Sequence, residues 1–224
     1  YERHLVLDEH DDAIDRADRR KRRRATGLSG RLVPLGAAGA VALAIGAAGL
    51  FWWSAQPVVY DTGVGEQRTV RLDDGSRITL DTDTRVSVRF SGSSRVVSLT
   101  SGRAMFDVEA DAARPFLVQA GDTQVVAVGT RFDVRRSGEG ARVVLVEGRV
   151  DVRKPTSSAQ GWSLSPGQLL TTSASAPRVM TANVPAETSW TLGRLTFERT
   201  PIATAVAEMN RYSAKPIELR DPRV

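Results

Sequence analysis

Residues 32–53 form an unbroken run of 22 residues without a charged or strongly polar side chain. As a helix rising 1.5 Å per residue, such a run spans about 33 Å, against a bilayer hydrocarbon core of roughly 30 Å. Leu32, Leu35, Leu43, Ile45, Leu50 and Phe51 give it a greasy surface. Trp52 and Trp53 stand where an interfacial aromatic belt belongs, and Gln56-Pro57 ends the helix. A cleaved signal peptide would have an apolar core of about 7–15 residues and an A-x-A-like cleavage site. This run is longer, and Trp52-Trp53-Ser54-Ala55-Gln56 is a poor substrate for cleavage. A buried core helix is the bland alternative. Gly36, Ala40, Ala44 and Ala48 make a ridge of small residues, for which Ala-rich composition is explanation enough.

The flanks orient the segment. Arg16, the run Arg19-Arg20-Lys21-Arg22-Arg23-Arg24, and Arg31 precede it, whereas Arg68 is the first cation after it. The basic side stays in the cytoplasm, so the chain is expected to cross the inner membrane once, with everything after residue 53 in the periplasm. Arg22, Arg23 and Arg24, with Trp52 and Trp53, are the expected membrane-interface residues, and the basic run also suits anionic lipid.

Charge and composition then exclude several function classes. The formal net charge is +5, but residues 1–31 carry nine Lys/Arg against seven Asp/Glu, and residues 57–224 carry 22 against 19. No block outside the membrane flank resembles a track for a phosphate backbone, so no direct nucleic-acid binding is expected. The chain has no cysteine, which removes disulfides, thiolate metal sites and thiol nucleophiles. Its two histidines, His4 and His10, both precede the apolar run, so a periplasmic His base or ligand cannot exist. An anchored hydrolase is therefore disfavoured. No catalytic residue, metal site or cofactor is assigned. Asp73, Asp74, Asp81 and Asp83 hint at a calcium loop, but such loops need more oxygen ligands at set spacing, and solvated turns are the simpler reading.

Residues 1–31 read as a cytoplasmic tail. Leu7, Ile14 and Ala17 fall on one helical stripe, giving a short amphipathic helix that cannot be a domain alone. It is expected to end a longer helical unit or to pack on a partner.

Beyond the membrane, residues 57–172 read as one β domain. Runs of Val, Leu, Ile or Phe alternate with Arg, Thr or Asp and close on Gly-containing turns. Residues 67–72, 77–80, 85–90, 95–99, 103–108, 116–119, 124–128, 130–135, 142–146 and 149–152 are expected as strands, with a final pair near 162–164 and 168–172. Period-two alternation marks strands with one buried face. Turns 73–76 and 91–94 sit at hairpin positions. The expected fold is mainly β, a sandwich or stack of hairpins. Residues 173–184, rich in Ser, Ala and Thr, read as a linker. In residues 185–224, Thr200-Pro201 is expected to open a helix, with Ile202, Ala205, Val206 and Met209 at helical spacing. Short strands around 195–197 and 216–219 would make it the start of a partial β-α-β module.

Taken in order, a series of motifs carries a likeness. Gly65-Glu66-Gln67-Arg68 leads into Val70, Leu72, Asp74-Gly75-Ser76, Ile78 and Leu80-Asp81. Leu99, Gly102, Ala104, Phe106 and Val108 follow, then Arg114-Pro115-Phe116, Val128-Gly129-Thr130, Phe132 and Val134. Val144, Val146, Gly148, Val150 and Val152 precede Leu164, Pro166-Gly167-Gln168, Trp190, Gly193, Leu195, Phe197, Pro201 and Asn210-Arg211-Tyr212. Over roughly residues 60–221 this order resembles the FecR family of membrane-bound anti-sigma factors, the regulators of iron and siderophore uptake.

The resemblance implies a signal transducer rather than an enzyme. Its cytoplasmic part would bind an extracytoplasmic-function sigma factor. Its periplasmic part would sense the signalling domain of an outer-membrane TonB-dependent receptor. The C-terminal module would resemble the small secretin/TonB N-terminal domain, with Trp190, Phe197, Arg211 and Tyr212 as anchors for the receptor, although Trp190 and Phe197 equally suit a core. The likeness also implies self-cleavage between Gly129 and Thr130 by an N-to-O acyl shift, against which stands a plain strand-to-strand bend. A membrane-anchored binding or assembly module that does not signal inward is the competing function.

Overall fold

The computed structural model describes residues 56–155, 161–173 and 177–219. The apolar run 32–53, Trp52 and Trp53, Arg22, Arg23 and Arg24, and the amphipathic stripe of the tail lie outside the described residues. No helix among the described residues is long and apolar enough to cross a membrane.

Fourteen strands follow one another: β1 (Val58–Asp61), β2 (Arg68–Arg71), β3 (Arg77–Leu80), β4 (Arg85–Phe90), β5 (Arg95–Ser101), β6 (Arg103–Asp107), β7 (Phe116–Ala120), β8 (Thr123–Ala127), β9 (Arg131–Ser137), β10 (Gly140–Glu147), β11 (Val150–Arg153), β12 (Gly161–Leu164), β13 (Gln168–Thr171) and β14 (Val179–Thr181). They form two open seven-stranded sheets. The first runs β1-β4-β5-β7-β8-β11-β12 and the second β14-β13-β10-β9-β6-β3-β2. After every strand or hairpin the chain changes sheet. Among these ladders only β5 with β7 is parallel.

Alternation along each strand makes this work. In β7 and β8 every second residue is buried, with the intervening ones half-exposed. In the second sheet one row across the strands, Ile78, Phe106, Phe132 and Leu145, is wholly buried and faces the first sheet. Phe106 stacks on Phe132 with ring centroids 5.2 Å apart and meets Phe116 of the first sheet edge-on at 6.1 Å. That aromatic trio joins the two sheets in one core.

All ten strands expected between residues 67 and 152 form, with ends displaced by two residues at most. Both expected hairpins form, β2 with β3 and β4 with β5. The edges differ from expectation. β1 pairs with β4, and β14, inside the expected linker, pairs with β13. These edge strands carry no clean alternation, because a side chain on an edge need not face the core.

The C-terminal region departs further. It holds a short helix α1 (Val184–Thr188), a 3₁₀ turn (Ser189–Leu192) and a helix α2 (Ile202–Asn210). Residues 195–197 and 216–219 form no strand, so the β partners of the expected β-α-β unit are not formed among the described residues. Pro201, not Thr200, occupies the N-cap of α2, and no side chain caps that end.

The turn aspartates are also not simply solvated. Asp74 pairs at 2.8 Å with Arg95, and both side chains are almost fully buried. Arg95 also donates to the carbonyls of Arg114 and Glu109 at 2.8 and 3.0 Å, and its guanidinium lies over the Phe116 ring. One side chain thus fixes the β2–β3 turn against the long β6–β7 crossing. Removing one partner of a buried ion pair strands the other charge. Arg95→Ala is expected to lower unfolding stability by about 3–5 kcal/mol in urea titration. Arg77→Ala, which breaks the exposed Arg77–Asp107 pair, should leave the midpoint unchanged.

Candidate functional site

Two places draw together the residues singled out in the sequence. The first is the crossing from β8 in one sheet to β9 in the other, made by Val128, Gly129 and Thr130 alone. Gly129 has φ +99°, and a Cβ there would lie 2.8 Å from the Cβ of Ala110 and 3.0 Å from its Cα. Only glycine fits, both for its dihedral and for its space. Across from it, Gly148 at φ +86° leaves room for Thr130: a Cβ on Gly148 would sit 2.7 Å from Thr130 Cγ2 and 3.0 Å from the Gly129 carbonyl oxygen.

Thr130 is 6% exposed. Its carbonyl accepts from the Val108 N–H at 2.9 Å, but its hydroxyl has no partner. Among the described residues Thr130 Oγ1 is the buried side-chain oxygen or nitrogen left without a hydrogen bond. An orphaned hydroxyl costs about 1–3 kcal/mol. A buried, unpaired hydroxyl therefore follows directly on the carbonyl of a residue that has no side chain of its own. No base is hydrogen-bonded to the hydroxyl, so the arrangement suits a slow intramolecular attack rather than turnover on a foreign substrate.

The second place is the outer face of the second sheet. One row of cross-strand partners runs Thr79, Met105, Asp133, Val144, Leu169 and Met180. It points away from the main core, yet Met105, Asp133, Val144 and Leu169 are each at most 5% exposed. The C-terminal region covers them. Trp190 donates its indole N–H to Asp133 at 3.0 Å, and Arg103 Nε donates to both Asp133 oxygens at 3.0 Å. The Arg103 guanidinium lies 5.2 Å from the Trp190 ring centroid and also donates to the Glu187 carbonyl. Glu187 pairs in turn with Arg142. Burial pushes the Asp133 carboxyl up, against the pull of Arg103 and the indole N–H. Burial also works against the Arg103 charge, but Asp133 outweighs it and leaves the guanidinium raised.

A second buried carboxylate, Asp81, sits just past the end of β3. It accepts from the Tyr212 hydroxyl at 2.8 Å and from Gln67 Nε2 at 3.2 Å, and Arg211 lies 3.4 Å away. Gln67 also donates to the Trp190 carbonyl at 2.9 Å, and Thr82 Oγ1 to the Arg211 carbonyl at 2.9 Å. Burial, then Asp81, pushes the Tyr212 phenol upward. Glu208 pairs with Arg135 at 2.7 Å and with Arg211 at 2.8 Å. Burial alone would raise it, but the two guanidinium groups hold it below the usual carboxylate range.

The four expected partner anchors therefore fare differently. Trp190 is 1% exposed and hydrogen-bonded to Asp133, the core placement its sequence also allowed. Arg211 and Tyr212 are turned inward onto Asp81. Phe197 is 38% exposed, and Arg211 and Tyr212 are half-buried. Asp133, Arg103 and Glu208, which organise this face, were not singled out in the sequence, and Asp81 was named there only as a turn aspartate and a motif position. The one available signal was Asp133 itself, a carboxylate between Phe132 and Val134.

Residues 58–151 match the family model described as FecR protein. Two crystal structures of a proposed anti-sigma factor from Parabacteroides distasonis share the fold. One, at 2.50 Å resolution, is 26% identical with a TM-score of 0.63, covering 70% of this chain and 75% of that one. The other, at 1.65 Å, is 26% identical with a TM-score of 0.62, covering 69% and 74%. No curated protein matches the chain. The β-sandwich that holds the Gly129–Thr130 crossing thus carries a FecR domain over residues 58–151.

Proposed function

We propose that this chain is a single-pass inner-membrane anti-sigma regulator. In this reading the tail before residue 32 holds an extracytoplasmic-function sigma factor. The run 32–53 crosses the membrane. The periplasmic sandwich receives a signal from a TonB-dependent outer-membrane receptor, most simply one for ferric siderophores. The observation that carries it is the FecR match over residues 58–151, joined to an apolar run with a strongly basic leading flank. The likeness to a proposed anti-sigma factor over about 70% of the chain supports the same regulatory, non-catalytic role.

Gly129–Thr130 is proposed to break itself once. Thr130 Oγ attacks the Gly129 carbonyl carbon, the bond to the Thr130 nitrogen breaks, and that nitrogen takes up the hydroxyl proton. An ester then joins Gly129 to the Thr130 side chain. Water adds to it, leaving a carboxylate on Gly129 and a free amine and hydroxyl on Thr130. Support comes from the unpaired Thr130 hydroxyl and the positive φ of Gly129.

Both proposals have direct tests. Mass spectrometry of the purified chain should find two fragments meeting at residue 130. Thr130→Ser should retain cleavage, and Thr130→Val should give one intact chain. Because valine removes an orphaned hydroxyl at nearly constant volume, T130V should also be more stable than the wild-type chain before cleavage by about 1 kcal/mol. An intact wild-type chain would sink self-cleavage. For the regulator itself, the full-length chain in detergent should capture an alternative sigma factor. Failure to do so would favour an anchored periplasmic binding module without inward signalling.

A further inference from the structure

The C-terminal region is tied to the sandwich by side-chain hydrogen bonds. Residues 184–212 lie on the outer face of the second sheet, where two hydrogen-bonded pins hold their ends and the ion pairs Glu187–Arg142 and Glu208–Arg135 add to them. At one end Trp190 and the Glu187 carbonyl meet Asp133 and Arg103. At the other, Tyr212 and Arg211 meet Asp81 and Thr82. Between the pins, residues 193–201 form neither helix nor strand. Arg199 there takes a left-handed φ of +51°, a conformation that costs a non-glycine residue energy. Beneath this middle stretch lies a cavity of about 380 Å³, lined by Arg135, Arg142, Glu187, Trp190, Phe197 and Glu208 among others. The segment is held at both ends and along α2, while 193–201 has no regular structure.

The pins are not independent. Gln67 donates to both Asp81 and the Trp190 carbonyl, so one side chain joins them. Each pin satisfies a carboxylate that is 1% exposed or less. A bare carboxylate in an apolar row is unfavourable, so a state with one pin open and the other closed leaves Gln67 and a buried charge half-matched. With both pins open, water reaches both carboxylates together.

We propose that residues 184–212 are a strap with a single opening equilibrium, which leaves and rejoins the second sheet as one unit while the sandwich stays folded. Opening bares the row Met105, Asp133, Val144 and Leu169 and sets α1, the 3₁₀ turn and α2 free together. The strap thereby gives a face of the FecR domain two discrete states, covered and uncovered, without any change to the core of Phe106, Phe116 and Phe132.

Hydrogen exchange on the full chain in detergent micelles tests this by loosening each pin in turn. Tyr212→Phe removes the hydroxyl donor to Asp81, and Trp190→Phe removes the N–H donor to Asp133 while keeping a ring in place. Each variant should speed exchange about tenfold or more throughout 184–212, including the end farthest from the substitution. Strands β4, β5 and β7 should keep wild-type rates. Acceleration confined to the substituted end would overturn the single-unit strap. So would acceleration that spreads into β4, β5 and β7, since the segment would then be part of the sandwich's own folding unit.

Discussion

After every strand or hairpin the chain passes from one sheet to the other, and several crossings are very short: one residue at Gly102, two at 148–149, three at 128–130. This constraint governs the rest. A crossing of one to three residues must turn sharply while staying close to its neighbours, and side chains obstruct it. A Cβ on Gly102 would lie 2.2 Å from Thr84 Oγ1, and one on Gly129 would press on Ala110. The crossings also carry backbone and hydroxyl groups into places water does not reach. Most find partners: Thr62 donates to the Asp81 carbonyl and Thr84 to the Arg103 carbonyl. Thr130 does not, and its isolation is a consequence of the same geometry.

The second consequence concerns charge. A sheet whose inner face is fully used for the core has only its outer face on which to place polar groups. In the second sheet that face is itself covered, so Asp133 and Arg103 are buried between two apolar layers. Burying such a pair is costly unless its remaining hydrogen-bonding positions are filled. Trp190 and the Glu187 carbonyl fill them. The ionic groups are therefore what specify where the C-terminal region sits, while Met105, Val144 and Leu169 supply apolar contact of little specificity. Arg95 with Asp74 performs the same service at the other end of the sandwich, where it fixes a long crossing instead of a strap.

This division explains which features could be read from the sequence. Period-two alternation reports one buried face, and strands such as β7 and β8 obey it, so the sandwich was legible almost residue by residue. β10 does not: Val143, Val144 and Leu145 are all buried, because the strap covers the face that alternation assigns to solvent. Pattern alone cannot say that a second layer lies outside. For the same reason Arg211 and Tyr212 read as partner anchors, and Trp190 as either anchor or core. Their partners Asp133 and Asp81 are 57 and 131 residues away from Trp190 and Tyr212 respectively, a pairing that no local signal encodes. The helical spacing of Ala205 and Val206 was visible, but not which surface would bury them.

The topology also bears on what a break at Gly129–Thr130 would do. β1 to β8 would belong to one piece and β9 to β14 to the other, yet neither sheet would be made of one piece alone. The boundary falls between β8 and β11 in the first sheet and between β6 and β9 in the second. Each is a full antiparallel ladder, and Phe106 on one piece stacks on Phe132 on the other. The strap, carried by the second piece, grips Asp81, Thr82, Gln67 and Arg103, all on the first. A cut there would leave the sandwich whole but convert a covalent continuity into two ladders, a shared core and a clasp. Of these, the clasp lies outside the core and can open without breaking a ladder. A pull applied to the C-terminal region would therefore meet the strap first and the ladders only afterwards, which sets the order in which such a molecule comes apart.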